Sequence, residues 1–280
     1  MKNLLIGIGI IFFLTTCNTK PEYDVIIRSG IIYNGSGNEP FVADVGISGN
    51  SISFIGDLRK AKAITEIDAR GLAIAPGFIN MLSWATESLI IDGNAQSDIR
   101  QGVTLEVMGE GMSMGPLNDA MKEEMGKDIK RAGLNYEVNW TTLGEYLEFL
   151  ERKGTSVNVA SFAGATTLRI HELGYANRHP TPEELERMRA LVKQAMEEGA
   201  LGIGSSLIYA PASYSSTEEL IELCKTASDY GGMYITHMRS EGDNIFSAVN
   251  ETIRIAREAN IPAEIYHLKF AGQRNWNKID

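Results

Sequence analysis

Residues 231–269, GGMYITHMRSEGDNIFSAVNETIRIAREANIPAEIYHLK, hold two short apolar runs, each closed by a histidine with a cation two residues later. His237 and Arg239 close the first run, His267 and Lys269 the second. One helix-length segment lies between, so the unit reads strand–helix–strand, a connection that makes its strands parallel neighbours. Two adjacent parallel strands with an imidazole at each carboxyl end set those rings side by side, as a (β/α) barrel does when it builds a metal site. Core histidines bonded to carbonyls fit the same residues. Two of only four histidines landing on adjacent strand ends favours ligation.

The same alternation extends back along the chain. Apolar runs at 72–79, 104–109, 156–163, 200–207, 232–236 and 263–266 read as six parallel strands. Helices between them carry start signals. Thr181-Pro182-Glu183-Glu184 is a capping box with proline at the first helical position, followed by Leu185, Met188, Val192 and Ala195 on one face. Ser216 through Glu219 repeats the device, and Asp243 is placed to cap a helix whose face is Ile245, Val249, Ile253 and Ala256. Residues 23–67 differ: short runs of Ile, Val and Phe separated by Asn34-Gly35, Gly49-Asn50 and Gly56-Asp57 read as a small β module. The expected organisation is a signal at 1–17, the module at 18–70 and the barrel at 71–280. Because a closed barrel of this kind has eight strands, the six found imply truncation before the last ones.

At 280 residues with 44% hydrophobic side chains, the chain can bury a barrel-sized core. A net charge of −10 argues against a nucleic-acid partner, which calls for Lys/Arg patches. Lys2, the apolar run at 4–14 and Thr15-Thr16-Cys17 form a secretory signal, too short to span a bilayer as a mature helix. Cys224, the other cysteine, lies among Leu220, Ile221 and Ala227 at helical spacing and reads as a buried thiol.

Asp24-Val25-Ile26-Ile27-Arg28, Pro76-Gly77-Phe78-Ile79, the run from Gly199 to Pro211, Thr236-His237-Met238-Arg239-Ser240-Glu241-Gly242 and Tyr266-His267-Leu268-Lys269 together resemble the amidohydrolase superfamily, and within it the N-acyl-D-amino-acid deacylases (D-aminoacylases). The Leu-Thr-Thr-Cys boundary resembles a bacterial lipoprotein signal, implying lipidation at Cys17, a membrane anchor and a place in the cell envelope. The superfamily resemblance implies a metal-dependent (β/α)8 TIM-like barrel with a small β-sandwich module. It also implies a zinc-dependent hydrolase of the amide bond in small N-acyl-D-amino acids, with its acid–base aspartate on a strand beyond Asp280.

Two departures bear on the site. The family pattern carries His-x-His after Pro-Gly-Phe-Ile-Asp, whereas Leu82 and Trp84 stand here. Neither donates to zinc, so one ion rather than two is expected. Where the deacylases carry Gly-Asn-Cys-Gly, this chain has Gly109-Glu110-Gly111-Met112-Ser113. With one residue deleted, Glu110 takes the place of the cysteine, and a carboxylate can serve as the anionic ligand beside His237 and His267. A solvated loop carboxylate is the other reading. Arg239 and Lys269 are candidates for the substrate α-carboxylate, or else for ion pairs with Glu241 or Glu110. Ser206 and Tyr209 would line the same mouth, while His171 and His179 fall in a loop before the capped helix. The rival function is a non-catalytic envelope lipoprotein that keeps the barrel as a ligand-binding scaffold.

Overall fold

The computed structural model describes residues 21–279, so the expected signal and Cys17 lie outside the described residues. The chain divides into two units between Pro76 and Gly77.

In the first unit, β1 (Tyr23–Ile32), β2 (Phe41–Ser48), β3 (Ser51–Gly56), β4 (Ala63–Asp68) and the short β5 (Ala73–Ile74) form one mixed sheet. Its order is β3-β2-β1-β4 with β5 also paired to β1; β2 runs antiparallel to β1 and β3, while β4 and β5 run parallel to β1. A bulge at Ser29, in left-handed backbone, is held by Asp44, whose two oxygens accept from Ser29 N (2.8 Å) and Leu58 N (3.0 Å). Ile26, Ile32, Val45 and Leu58 are buried, but Ile52, Phe54, Ile55, Ile64 and Ile67 are exposed. Among the described residues this unit is one five-stranded sheet, which by itself does not make the expected sandwich. The expected strand at 72–79 is also corrected. Pro76 has no N–H to continue a ladder, and the run splits into β5 on β1 and a new strand from Phe78.

The second unit alternates strand and helix: β6 (Phe78–Asn80), α1 (Ser88–Ile91), α2 (Gln96–Ile99), β7 (Val103–Met108), α3 (Asp119–Arg131), α4 (Leu143–Lys153), β8 (Asn158–Ser161) and β9 (Ala163–Gly164). It continues with α5 (Ala165–Leu173), α6 (Pro182–Glu197), β10 (Gly202–Ser206), α7 (Thr217–Ser228), β11 (Met233–His237), α8 (Ile245–Glu258) and β12 (Ala263–Ile265). All pairings here are parallel, in two runs, β6-β7-β8 and β9-β10-β11-β12. Only Phe162 separates β8 from β9, so one stretch of chain serves both sheets. The expected runs from 104 onward each carry a strand, the first expected strand begins only at Phe78, and the described residues do not close these strands into a barrel.

The helices pack an apolar layer outside the strands, with Leu168, Met188, Val192, Leu220, Leu223, Cys224, Tyr234 and Ile255 fully buried. The Thr181 capping box forms, its hydroxyl accepting from Glu184 N while Glu184 accepts from Thr181 N. Ser216 caps α7 through Glu219 N. Asp243 caps nothing: α8 begins without a side-chain cap, and Asp243 is paired instead with Arg274. The buried face of α8 is Ile245, Ala248, Thr252 and Ile255, one step round from the expected face, and Ile253 is exposed. Thr252 tolerates this burial because its hydroxyl donates back to Ala248 O.

Candidate metal centre

His237 is the last residue of β11 and is buried. Its strand is fixed on both sides, by β10 through Ser206↔His237 and by β12 through Thr236↔Ile265. His267 follows two residues after β12, anchored by Tyr266 N donating to Thr236 O at 3.1 Å. The two rings meet edge to face at 4.4 Å.

Glu110 reaches them from the far sheet run. It leaves β7 between Gly109 and Gly111, both in left-handed backbone, φ 101° and 73°. A Cβ on Gly109 would lie 2.4 Å from Phe162 O, and one on Gly111 would lie 2.6 Å from Ser206 Cβ. Only glycine allows this approach, and it turns the carboxylate onto the histidines. Glu110 Oε1 lies 2.9 Å from His237 Nδ1 and 3.8 Å from His267 Nε2. One donor from each of Glu110, His237 and His267 falls within 4.8 Å of the others.

Glu110's other oxygen is also occupied. Oε2 accepts from Trp84 Nε1 at 2.9 Å. The residue that removes a possible ligand thus supplies a hydrogen bond to a remaining one. This is the functional contact that sequence reasoning missed, because an aromatic in a ligand position reads as a loss.

A second carboxylate faces the opposite ring nitrogens. Glu241 Oε1 lies 3.4 Å from His237 Nε2, 3.0 Å from His267 Nδ1 and 3.0 Å from Lys269 Nζ. None of Glu241 Oε1, His237 Nε2 and His267 Nδ1 is in hydrogen-bond geometry, although all three are buried. Each imidazole therefore shows one nitrogen to Glu110 and the other to Glu241. With two carboxylates against two imidazoles, the cluster suits a bound cation, and His₂Glu is a zinc donor set. An outer carboxylate on the second ring nitrogen also fixes the tautomer that leaves the first nitrogen free to ligate.

The remaining candidates divide. Tyr209, largely exposed, stands edge-on to His237 at 5.3 Å between ring centroids. Ser206 is buried beside Gly111 with its hydroxyl unpartnered. Lys269 is half-exposed at the mouth. Arg239 is engaged elsewhere: it pairs with Glu251 at 2.9 Å and donates to Ser213 O and Ser215 O, so it clamps α8 to the loop after β10. His171 lies in α5, not a loop, against Glu172, and His179 is exposed. Burial pushes the Tyr266 phenol up, and the nearby Glu110 carboxylate adds to the shift.

No family model matches the chain. It is 38% identical over 257 residues to a D-aminoacylase of Alcaligenes xylosoxydans xylosoxydans, an alignment covering 91% of this chain and 52% of that protein. Among solved structures, a D-aminoacylase described as defining a novel subset of amidohydrolases superposes with a TM-score of 0.81 at 34% identity. That superposition covers 91% of this chain and 54% of the D-aminoacylase. N-acyl-D-glutamate deacylase from Bordetella bronchiseptica, complexed with zinc and a phosphonate mimic of the tetrahedral intermediate, gives a TM-score of 0.79 at 26% identity, covering 91% and 53%. The chain spans about half the length of the curated relatives it matches.

Proposed function

We propose, for a chain that belongs to the amidohydrolase superfamily as a relative of the D-aminoacylases, that it is the metal-binding portion of a zinc-dependent hydrolase of N-acyl-D-amino acids. The observation that carries this reading is the convergence of Glu110, His237 and His267 from three strand ends onto one point. One ion fits better than two, since Leu82 and Trp84 stand where further ligands would be needed. Bound there, zinc would supply a Lewis acid that polarises an amide carbonyl and activates water.

The chain's own residues then have distinct tasks. Glu110, His237 and His267 would hold the ion. Glu241 would hold the outward imidazole nitrogens in their protonated tautomers. Lys269, exchanging its contact with Glu241 for the ligand, would receive the substrate α-carboxylate, with Tyr209 and Ser206 as further candidates to line the site; Arg239 is held by Glu251 and two carbonyls. The acid–base role is assigned to no residue of this sequence. The six parallel strands would form part of a (β/α)8 barrel.

The test is zinc content together with hydrolysis of N-acetyl-D-amino acids. This chain should hold about one zinc and His237→Ala should lose it, whereas hydrolysis is expected only from a form extended past Asp280, because no residue of this sequence is assigned the acid–base role. Absence of zinc, or zinc unchanged in His237→Ala, refutes the reading; zinc bound by the extended form with no hydrolysis would favour the scaffold function. Placement at the bacterial cell envelope rests on residues 2–17 alone, and palmitate labelling that disappears in Cys17→Ala is its check.

A further inference from the structure

A cavity of about 210 Å³ opens beside the metal centre, between the loops after β6 and β7, α3 and the end of α5. Its floor is Leu117, Met121 and Ile170, all buried. Its mouth is framed by Trp84, Met112 and Tyr175, large side chains left 60%, 42% and 59% exposed. Met114 and Met125 add two more thioethers to the wall. Methionines adapt to varied apolar shapes. Glu124 and Asp128, exposed on α3, put negative charge on the rim.

Trp84 joins this cavity to the proposed metal donors: its ring lines the cavity while its Nε1 donates to Glu110. At about 210 Å³ the space is below the usual range for a whole small-molecule site, about 300–1,000 Å³. It therefore suits one apolar arm of a substrate. The arm can be identified from charge. None of the residues lining the cavity is a cation that could receive an α-carboxylate, and its rim carries Glu124, bonded to Tyr175, and Asp128, paired with Arg131. Lys269, by contrast, 3.0 Å from Glu241, puts an ammonium after β12, the strand at the other end of the sheet order from β6 and β7.

We propose that this methionine-lined cavity is an acyl-chain subsite, which makes the protein selective for N-acyl-D-amino acids with unbranched hydrocarbon acyl groups of several carbons. The assignment rests on the metal-hydrolase reading above. Cleavage in this arrangement adds water across the amide, releasing the carboxylic acid on the Trp84 side and the free amino acid on the Lys269 side.

The test is calorimetric titration of the zinc-loaded protein with N-acyl-D-leucines carrying acetyl, butyryl, hexanoyl and octanoyl groups. Affinity should rise about fourfold per buried methylene and level off once the cavity is full. Met125→Trp should fill the space and flatten the rise. Tyr175→Asp, at an exposed position, should weaken the longer chains selectively, with the unfolding midpoint measured alongside to show that the fold is kept. A flat series, a rise that survives both variants, or a rise that follows the amino-acid side chain at fixed acyl group would each overturn the assignment. The same titration without zinc, using n-alcohols of four to eight carbons, reads the cavity alone. A rise with alcohols but none with acyl groups overturns the subsite and leaves the metal reading standing. Failure to take up zinc, measured on the same samples, is the separate failure of the metal reading.

Discussion

Replacing Trp84 by phenylalanine keeps the ring and removes one donor, and the structure sets what this should cost. Trp84 Nε1 donates to Glu110 Oε2 at 2.9 Å, and nothing else among the described residues bonds that oxygen. A hydrogen bond to a charged group contributes about 1.5–3 kcal/mol. Trp84 is 60% exposed, so water can partly stand in for the indole and the lower end applies. That corresponds to about tenfold weaker zinc binding, at the bottom of the range of about 10–100-fold for residues that orient a metal ligand. Competition against a chromophoric chelator would measure it. Trp84→Gln, which retains an N–H donor and brings no imidazole, should recover part of the loss. Zinc affinity unchanged within about twofold in Trp84→Phe would refute the idea that this contact positions Glu110. So would equal losses in the phenylalanine and glutamine variants, because the donor would then not be the cause.

Glu241→Gln should also weaken zinc by about tenfold, since the charge facing both outward imidazole nitrogens is lost; an unaltered chelator competition curve would count against its orienting role. Arg169→Ala should cost about 3–5 kcal/mol in denaturant unfolding. It leaves Glu219, 2.7 Å away in a fully buried pair, charged with only the Ser215 hydroxyl, at 3.0 Å, still bonded to it; a loss under about 1 kcal/mol would mean water or rearrangement replaces the arginine. Arg178 and the capping bond to Thr181 N hold the Glu184 carboxyl down at about 2. Its contribution to α6 is therefore full above its ordinary 4.5 and fades as pH falls toward about 2. Urea midpoints of Glu184→Gln and the parent should differ at pH 7 and converge near pH 2, and a gap that persists at acid pH would argue against this charge as the source.

Much of this architecture could be read in advance because it depends on local patterns. Apolar runs of strand length alternating with capped helices placed the parallel strands from β7 onward, though not the split at Pro76, and Thr181 and Ser216 marked their helix starts correctly. His237 and His267 were legible for the same reason: a residue at a parallel strand's carboxyl end has its position set by register. The errors arose where a partner lies far along the chain. Asp243 looks like a cap until Arg274, 31 residues on, takes it. Arg239 looks like a free cation at the mouth, but the rotation of α8 brings Glu251 under it. An apolar count favours Val249 and Ile253 as the α8 core face, and cannot register that Thr252 satisfies its own hydroxyl and so can be buried. The single sheet of the first unit escapes pattern reading for another reason: alternation specifies that a sheet has an apolar face, not what covers it.

Leu82-x-Trp84 and Glu110 look, along the sequence, like two separate departures from the family pattern. In space Trp84 and Glu110 are a single feature. A thiolate at the strand end has one donor atom, whereas a carboxylate brings two oxygens, and in a site this buried an unpartnered oxygen is costly. The indole N–H is a donor with no acceptor capacity. It can satisfy Glu110 Oε2 without competing for a metal, and it leaves Oε1 turned to His237 and His267. A histidine at position 84 could serve as a ligand but would not be confined to that supporting task. The exchange of thiolate for carboxylate and the exchange of imidazole for indole are thus mutually consistent, and together they leave one set of three donors where the family pattern would provide for more.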